Sequence, residues 1–330
     1  MKQASGFERK EAVLIINPAA HNVPSLKRIW EAEDWLREHG WRFRWEQTTG
    51  PGQATQFAAH AAREGMPVVI ACGGDGTLNE VANGLAGTQT AMGTLPFGTS
   101  NIWAREMEIS RKPIEATMQM ATGEVRTIDL GKAGDRYFLL FAGFGIDAKV
   151  TAGVSLAVKQ YIGAAAYGLS AAREVVRWRP RPTTVRLDDE VHHVNVLMAF
   201  AGNTRLYAGL TKITPKAFAD DGLLDVCIYE GKGRLEMATH ALRTVTQRHP
   251  RASNVIYRRV KRLEFEWGEK SLPAQVDGDA LKERPTVVEV APAALKVVVP
   301  AGLKTPLFCG REQEAERLTA ELTLPQPRTG

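Results

Sequence analysis

A glycine-rich turn lies between an apolar segment and an amphipathic one, and it limits what the chain can fold into. Residues 67–72 form an apolar run, which predicts a buried strand. Residues 73–80 follow, with the sequence Gly-Gly-Asp-Gly-Thr-Leu-Asn-Glu. The next apolar residues have the spacing of one helix face: Leu78, Val81, Ala82 and Leu85. Because glycines let a ligand approach the backbone and a helix N-terminus binds anions, this turn predicts a phosphate site.

The carboxylate of Asp75, in the middle of this turn, is unusual for a phosphate site. It repels phosphate unless a metal ion lies between them or the carboxylate serves as a proton acceptor. The stretch lacks the lysine of Gly-x4-Gly-Lys-Ser/Thr and does not match Gly-x-Gly-x-x-Gly, so neither common nucleotide fingerprint is present. A strand–helix turn that needs glycine only for its geometry is the alternative interpretation.

Short apolar runs and helical patterns alternate along residues 1–125. The predicted strands are 12–16, 41–46, 67–72 and 92–96, and the predicted helices between them are 26–39, 53–63 and 76–85. This alternation predicts a largely parallel sheet with helices on both faces, that is, a three-layer α/β domain. Ligands bind to such sheets beyond the carboxyl ends of the strands.

After residue 126 the pattern is typical of antiparallel strands. A Gly134-Asp135 turn separates segments 125–131 and 136–142, which predicts a hairpin. Further strands are predicted at 184–188, 193–201, 223–229, 259–267, 286–290 and 295–299, with helices at 159–178 and 235–248. The sequence therefore predicts a mainly antiparallel β-sandwich domain over residues 126–300. A C-terminal segment, 301–330, follows with a charged helical pattern at 311–322.

The net charge of +5 favours anionic partners, such as nucleotides, acidic lipid surfaces or nucleic acid. Nucleic acid is the least favoured, because the basic residues are dispersed and not interleaved with aromatic ones. Two arginine-rich clusters, at 173–181 and 258–262, are predicted to be solvated faces, with contact to an anionic membrane as a secondary hypothesis.

The cysteines and the apolar segments bear on the compartment. Three scattered cysteines give no disulfide framework and no zinc-binding spacing, which fits a reducing cytoplasm. Residues 1–10 contain no apolar signal core, and no segment has 18 uninterrupted apolar residues. We therefore expect a cytoplasmic protein, with any membrane contact peripheral and at the inner face.

Polar residues follow each of the four predicted strands of the first domain. The four turns begin at Asn17-Pro18, at Thr48, at Gly73 and at Pro96, and each offers hydroxyl, amide or backbone N–H donors. One such turn alone is a weak signal, because these residue types are common in turns. Four in successive strand–helix turns predict a nucleotide site.

The motifs in these turns, together with two later ones, resemble the diacylglycerol kinase catalytic-domain family. These are bacterial lipid kinases related to sphingosine kinases and more distantly to NAD kinases. The resemblance covers about residues 13–300 and rests on Ile16-Asn17-Pro18, Gly73-Gly74-Asp75-Gly76-Thr77-Leu78-Asn79-Glu80-Val81, Pro96-x-Gly98-Thr99-x-Asn101, Ala217-x-x-x-Asp221-Gly222-x-Leu224-Asp225 and Asp277-Gly278-Asp279. It implies an α/β nucleotide domain, then a β-sandwich lipid domain, with the C-terminal end returning to the first domain.

The resemblance also implies which residues bind ATP and magnesium. The implied ATP contacts are Asn17, Thr48, Gly73, Gly74, Asp75, Gly76, Thr77, Leu78, Asn79 and Thr99. A structural Mg²⁺ is implied at the side chain of Asp221 and the backbone carbonyls of Phe218 and Leu223; oxygen ligands of this kind suit Mg²⁺. From the residues alone, the Asp-Gly dipeptide there indicates an ordinary turn before a strand.

Two carboxylates compete for the role of general base. Asp279 matches the position where many members carry a glutamate proposed as the base, and it is shorter by one methylene. In sphingosine kinases the aspartate that matches Asp75 is favoured instead. Asp147 matches a segment that lines the cleft between the domains, where it would meet a lipid head group; an ordinary strand-end turn is equally compatible with the sequence.

The function expected from these motifs is ATP- and Mg²⁺-dependent phosphorylation of a lipid hydroxyl, with diacylglycerol or a sphingoid base as examples. An NAD kinase-like activity on a soluble substrate is one alternative. A nucleotide- or lipid-binding protein without turnover is another, prompted by the shorter Asp279. The sequence leaves the lipid and the oligomeric state open.

Overall fold

The first part of the chain, in a computed structural model, alternates parallel strands with helices. The structure describes residues 7–20, 26–146, 148, 178–207, 209, 211–231, 233–267 and 271–309. The elements of this part, in chain order, are β1 (Glu11–Ile16), α1 (Leu26–Glu38), β2 (Arg42–Gln47), α2 (Gln53–Arg63), β3 (Val68–Gly73), α3 (Asp75–Leu85), β4 (Ala91–Pro96), α4 (Ile102–Glu106) and α5 (Pro113–Thr122).

The strands of this part lie in the order β2-β1-β3-β4, and every neighbouring pair is parallel. β3 and β4 are buried at every residue, because they are central strands with helices packed on the sheet. α1 packs with α5, and α2 packs with α3. The α/β domain predicted from the alternating pattern is confirmed.

The second part of the chain is made mainly of antiparallel strands. Its elements are β5 (Glu124–Ala133), β6 (Arg136–Phe138), β7 (Phe141–Gly145), β8 (Arg181–Leu187), β9 (Glu190–Gly202), β10 (Leu206–Tyr207), β11 (Thr211–Lys212), β12 (Leu224–Glu230), α6 (Arg234–Val245), a 3₁₀ turn (His249–Arg251), β13 (Val255–Val260), β14 (Arg262–Trp267), β15 (Ala274–Val276), β16 (Asp279–Ala280) and β17 (Val287–Val299).

These strands enclose a second hydrophobic core, whereas the core of the first part extends into the second part through residues such as Phe141, Phe200 and Tyr229. β9 pairs antiparallel with β7, β8 and β12, and β14 pairs antiparallel with β8 and β17. Fully buried side chains from several of these strands fill the space between them, among them Phe144, Leu197, Val226 and Leu263. The predicted β-sandwich is confirmed.

A single long strand, β17, links the two parts. The sequence predicted two strands, 286–290 and 295–299, but one strand spans both, with a shift of register between Ala291 and Leu295. β17 pairs antiparallel with β5 and parallel with β4, where Lys296 and Val297 face Ala91 and Met92. The chain therefore returns to the first sheet within β17. The domain limits at 125 and 300 stay predictions.

The predicted strand 259–267 is instead two strands, β13 and β14. The carboxylate of Asp188 accepts the backbone N–H groups of Lys261 and Arg262, at the point where β13 ends and β14 begins. β13 pairs with β12, whereas β14 pairs with β8. Within the described ranges, every helix is too short or too polar to cross a membrane.

Candidate active site

The four predicted turns meet at one edge of the parallel sheet. Ile16 at the end of β1 faces Gln47 of β2 and Cys72 of β3, and Gly73 faces Pro96 of β4. Parallel pairing places the carboxyl ends of these strands side by side. The turns that begin at Asn17, Thr48, Gly74 and Phe97 are therefore neighbours, as the nucleotide-site prediction requires.

Two glycines from different turns are in backbone contact. A Cβ atom on Gly98 would lie 2.4 Å from the Cα of Gly74, so no other residue fits at position 98 without moving the turn. Asn101 holds this turn from within: its Oδ1 accepts the Gly98 N–H at 2.9 Å and its Nδ2 donates to the Gly98 carbonyl at 2.7 Å. Asn101 is buried and has a φ of 47°, a conformation that asparagine tolerates well. The Gly-Thr turn is thus fixed before any ligand binds.

The N-terminus of α3 lies against this pair of glycines. Gly74 occupies the N-cap position and has no side chain with which to cap the first turn. Helix N-termini leave backbone N–H groups without intrahelical partners, and these attract anions. Asn17 connects β1 to the same turn, because its Nδ2 donates to the hydroxyl of Thr77 at 3.3 Å. Gly76 is exposed at this end of the helix.

Thr48 and Thr99 differ in exposure. Thr48 is buried, and both its N–H and its hydroxyl donate to the carbonyl of Ile16, at 2.9 and 3.3 Å. Thr99 is exposed in the turn after β4. Of the two, Thr99 has the more accessible side chain at the edge where the turns meet.

Asp75 faces the N-terminus of α4. Its Oδ1 accepts the backbone N–H of Trp103 at 3.2 Å. Burial raises the pKa of Asp75, and the backbone N–H groups of Ile102 and Trp103 act against that rise. The carboxylate therefore joins α3 to α4, which the sequence did not indicate.

Asn79 lies at the junction of the two domains. Its Nδ2 donates to Asp277 Oδ2 at 2.7 Å and to the Tyr137 carbonyl at 3.0 Å, and its Oδ1 accepts from Arg136 at 3.1 Å. The side chain is 1% exposed. These bonds engage its side-chain amide, and the ATP contact that the resemblance implies for Asn79 stays a prediction. Leu78 is also buried, so only its backbone remains for a ligand.

Asp277 fixes the turn that carries Asp279. Its carboxylate accepts the backbone N–H groups of Leu139, Leu140 and Phe141 at 2.7 to 3.0 Å, besides the amide of Asn79. Burial raises the pKa of Asp277 to about 6, and these donors act against that rise. The β15–β16 turn is thereby attached to α3 and to the start of β7.

Asp279 is accessible and has a cationic partner. Its side chain is 55% exposed, and its Oδ2 accepts from Arg136 Nη2 at 2.7 Å. Arg136 also contacts Asn79, so it links the predicted base to α3. Sequence reasoning missed Arg136 and gave Asp277 no role. Asp277 belongs to the Asp277-Gly278-Asp279 motif, so the sequence could have indicated it, whereas Arg136 belongs to none of the sequence motifs.

The predicted magnesium loop contains an ion pair. Asp221 is 3% exposed; its Oδ1 accepts the Leu223 N–H at 3.0 Å, and its Oδ2 pairs with the guanidinium of Arg259. Phe218 lies beneath the same guanidinium. Metal binding at Phe218, Asp221 and Leu223 stays a prediction. Asp147, the predicted contact of a lipid head group, lies outside the described residues.

Comparisons with known proteins agree with both parts of the fold. Residues 11–133 match the family model of the diacylglycerol kinase catalytic domain. Residues 141–299 match the YegS C-terminal NAD kinase beta sandwich-like domain. The two matches meet between residues 133 and 141, on the C-terminal side of the predicted boundary.

Relatives and a solved structure extend the similarity to most of the chain. "Probable lipid kinase YegS-like" of Pseudomonas putida is 34% identical over 274 residues, which cover 81% of this chain and 88% of the relative. The diacylglycerol kinase of Bacillus subtilis is 29% identical, over 82% of this chain and 90% of the relative. A crystal structure of a diacylglycerol kinase from Bacillus anthracis has a TM-score of 0.71 at 19% identity, over 90% of this chain and 99% of that chain. The resemblance seen in the motifs is confirmed, and the chain belongs to the diacylglycerol kinase catalytic-domain family.

Proposed function

We propose that this chain is an ATP- and Mg²⁺-dependent lipid kinase that transfers the γ-phosphoryl group of ATP to a lipid hydroxyl, as in diacylglycerol or a sphingoid base. Membership of the family supports a kinase acting on a lipid-like substrate. The observation that carries the proposal is the meeting of the Gly74 and Gly98 turns beside the uncapped N-terminus of α3. This arrangement suits an oligophosphate, because the first backbone N–H groups of a helix have no intrahelical partners and the glycines leave room for an anion beside them.

The phosphates of ATP are proposed to bind at this edge, with contacts from Asn17, Thr48, Gly73, Gly74, Asp75, Gly76, Thr77, Leu78, Asn79 and Thr99. Within that set, the structure favours the exposed Gly76 and Thr99 and the backbone of the α3 N-terminus. Asp75 is the carboxylate nearest in sequence to the glycines, and it would hold catalytic Mg²⁺ through water. When bound, Mg²⁺ neutralises charge on the phosphates during transfer.

Asp279 is proposed as the general base. Its carboxylate would accept the proton of the lipid hydroxyl as that oxygen forms a bond to the γ-phosphorus and the bond to the β–γ bridging oxygen breaks, leaving ADP. Its exposure allows it to reach an incoming lipid, and the pair with Arg136 orients it. Asp75 is half-buried and accepts a backbone N–H of α4, so we propose that it positions that helix and the nucleotide.

The direct test is transfer of label from [γ-³²P]ATP with Mg²⁺ to fractionated lipids in mixed micelles, with NAD⁺ as a soluble acceptor in parallel. Labelled lipid is the expected product. Label on NAD⁺ alone would favour the NAD kinase-like alternative, for which the description of the second family model gives only a likeness of fold. ATP binding without ADP formation on any lipid would favour a binding protein.

Gly98→Ala tests the phosphate edge, that is, the edge of the parallel sheet where the Gly74 and Gly98 turns meet. The added Cβ would lie 2.4 Å from the Cα of Gly74, so the two turns must separate. We expect the Kd for ATP to rise by about tenfold or more, because small displacements of a binding turn are costly. The matched control is Gly233→Ala, which precedes α6, lies outside the four turns and places its added Cβ no closer than 4.0 Å to another side chain, that of Glu236. Unchanged ATP affinity in a folded Gly98→Ala variant would contradict this assignment.

Peripheral contact with an anionic membrane is also proposed, because a lipid substrate resides there. The arginine cluster at 258–262 gives little support, since three of its members pair with acids: Arg258 with Glu190, Arg259 with Asp221, and Arg262 with Glu264. α6 offers a better surface. Leu242 and Val245 on this helix are 65% and 71% exposed, and the exposed Arg248 and Arg251 follow it.

A further inference from the structure

A buried arginine–aspartate pair lies where family resemblance predicts a structural magnesium ion. Both carboxylate oxygens of Asp221 are engaged: Oδ1 by the backbone N–H of Leu223, and Oδ2 by the guanidinium of Arg259. The Asp221 side chain is 1% exposed. A carboxylate so buried needs a compensating positive charge, and here Arg259 supplies it.

The strand register places Arg259 at this point. Arg259 of β13 faces Asp225 of β12, so both side chains leave the same face of the pair. From there the Arg259 Nε lies 3.8 Å from Asp225 Oδ2, and the guanidinium lies 5.5 Å from the centre of the Phe218 ring. A second guanidinium, that of Arg205, lies 5.0 Å from the same ring. The Phe218 ring therefore contacts two guanidinium groups.

The rest of the loop is fixed by hydrogen bonds within the protein. Asp129 accepts the N–H of Gly222 at 2.6 Å and that of Ala293 at 2.7 Å. Asp220 accepts the N–H of Cys309 at 2.7 Å, and Arg205 donates to the Ala217 carbonyl at 2.7 Å. These bonds tie the loop to β5, to β17 and to the C-terminal segment, so its conformation has several anchors besides Asp221.

The described residues do not fit a divalent cation at Asp221 as they stand. Mg²⁺ requires oxygen ligands in octahedral geometry at about 2.1 Å, and the guanidinium of Arg259 already contacts the oxygen such an ion would use. The guanidinium of Arg259 would also repel a cation there.

We propose that Arg259 takes the place of the structural metal in this chain, so that the 217–223 loop folds and stays folded without a divalent cation. The guanidinium supplies the positive charge that Asp221 needs, and its stacking on Phe218 fixes the loop backbone. This role is independent of the Mg²⁺ that would accompany ATP in catalysis.

Thermal unfolding of the full chain, without nucleotide, in EDTA and in millimolar Mg²⁺ tests this. The Tm of the unmodified chain is expected to be the same in both. Arg259→Met keeps an apolar stem over Phe218 but removes the charge; its Tm in EDTA is expected to fall, and Mg²⁺ is expected to restore part of the loss by occupying the freed carboxylate. The matched control is Arg258→Met, because Arg258 pairs with Glu190 at the surface. We expect the Tm of this variant to be the same in EDTA and in Mg²⁺.

Asp221→Asn identifies where any metal acts. If EDTA lowers the Tm of the unmodified chain, and Asp221→Asn abolishes that response, the loop binds metal and the proposal is wrong. A response that persists in Asp221→Asn arises elsewhere and leaves the loop free of metal, as proposed. If Arg259→Met does not fold in either buffer, the Tm values of the unmodified chain and of Asp221→Asn in EDTA and in Mg²⁺ still test the proposal. An Arg259→Met variant with the Tm of the unmodified chain in both buffers would also overturn the proposal.

Discussion

Asp75 and Asp279 are both candidates for the general base, but their surroundings in the structure differ. Asp75 is bonded to the backbone of α4, and burial raises its pKa. Asp279 exposes 55% of its side chain and pairs with Arg136. A base must come within hydrogen-bond reach of the hydroxyl that it deprotonates. Accessibility therefore favours Asp279, and the contacts of Asp75 suit a positioning role.

Replacing Asp279 by asparagine removes the proposed proton acceptor and keeps the size of the side chain. We expect kcat for lipid phosphorylation to fall by roughly 10²- to 10⁴-fold, the usual contribution of general acid–base catalysis. The Kd for ATP, measured by titration calorimetry, should stay unchanged, because the phosphate edge is intact. Asp135→Asn is the control: that aspartate is exposed in the β5–β6 turn and should leave kcat unaffected.

Asp279→Glu extends the test, since glutamate is what many members are expected to carry. It restores the missing methylene, so we expect kcat to be retained or increased. The assignment would be wrong if Asp279→Asn kept its turnover while Asp75→Asn lost turnover with an unchanged Tm.

At the scale of elements, the pattern of apolar residues predicted those strands and helices whose position depends on neighbouring residues in the sequence. β3 was expected at 67–72 and runs from Val68 to Gly73, because a short continuous apolar run flanked by proline and glycine is typical of a buried strand. The division between β13 and β14 was missed, since it depends on the carboxylate of Asp188, which is 73 residues away from Lys261. No periodicity carries that information.

In the candidate site, too, local features were predicted from the sequence and long-range contacts were not. The four strand-end turns were readable because each is a short motif next to an apolar run. The junction of Asn79, Asp277 and Arg136 was not, because it joins residues that are 57 to 198 positions apart. Long-range pairing of this kind depends on how the two domains dock, and the motif alone suggested nucleotide contact for Asn79.

α6 and the turn after it cover β12 through two fully buried histidines. His240 Nε2 lies 2.7 Å from the Glu230 carbonyl and His249 Nε2 lies 2.8 Å from the Ile213 carbonyl, so each donates an N–H there. Within the described residues, the Nδ1 atom of each is buried and has no hydrogen-bond partner. Burial lowers the pKa of both imidazoles, and the backbone carbonyls that accept from them, Glu230 for His240 and Ile213 and Arg243 for His249, act against that fall.

These histidines make the fold sensitive to acid. In the unfolded chain a histidine takes up a proton near pH 6.5, whereas His249 in the fold resists it, so lower pH favours unfolding. We expect the free energy of unfolding in urea to fall between pH 7.5 and pH 5.5, and to fall less in His249→Gln, which can still donate to Ile213. The exposed His193 provides the control, as His193→Gln should keep the full pH dependence. An equal fall in His249→Gln would contradict this account.

At the scale of the whole molecule, two connections between the domains set the position of Asp279, the proposed base, relative to the phosphate edge. β17 joins the first sheet to the second through β4 and β5. The bond between Asn79 and Asp277 then attaches the β15–β16 turn to α3, the helix whose N-terminus is the proposed phosphate site. If Asp279 is the base, as proposed, both domains contribute to one site, and we expect the lipid to approach at their junction.

α6 belongs to the same assembly. It packs on β11, and the β10–β11 segment in turn contacts α4: Arg105 donates to the Gly209 carbonyl, and Glu106 accepts the N–H of Arg205. The exposed Leu242 and Val245 lie on one face of α6, three residues apart. An apolar helix face with arginines nearby binds an anionic bilayer by insertion and by charge attraction.

The double variant Leu242→Asp, Val245→Asp tests whether this face meets the membrane. We expect it to lose co-sedimentation with phosphatidylglycerol vesicles, since two carboxylates oppose both insertion and the anionic surface. Activity on a short-chain, micellar lipid should remain, because the phosphate edge and Asp279 are untouched. Met118→Asp on α5 is the matched control, as another helical apolar residue that is 43% exposed, and it should bind vesicles normally. Normal vesicle binding by the double variant would show that α6 is not the docking surface, and loss of micellar activity would show damage to the fold instead.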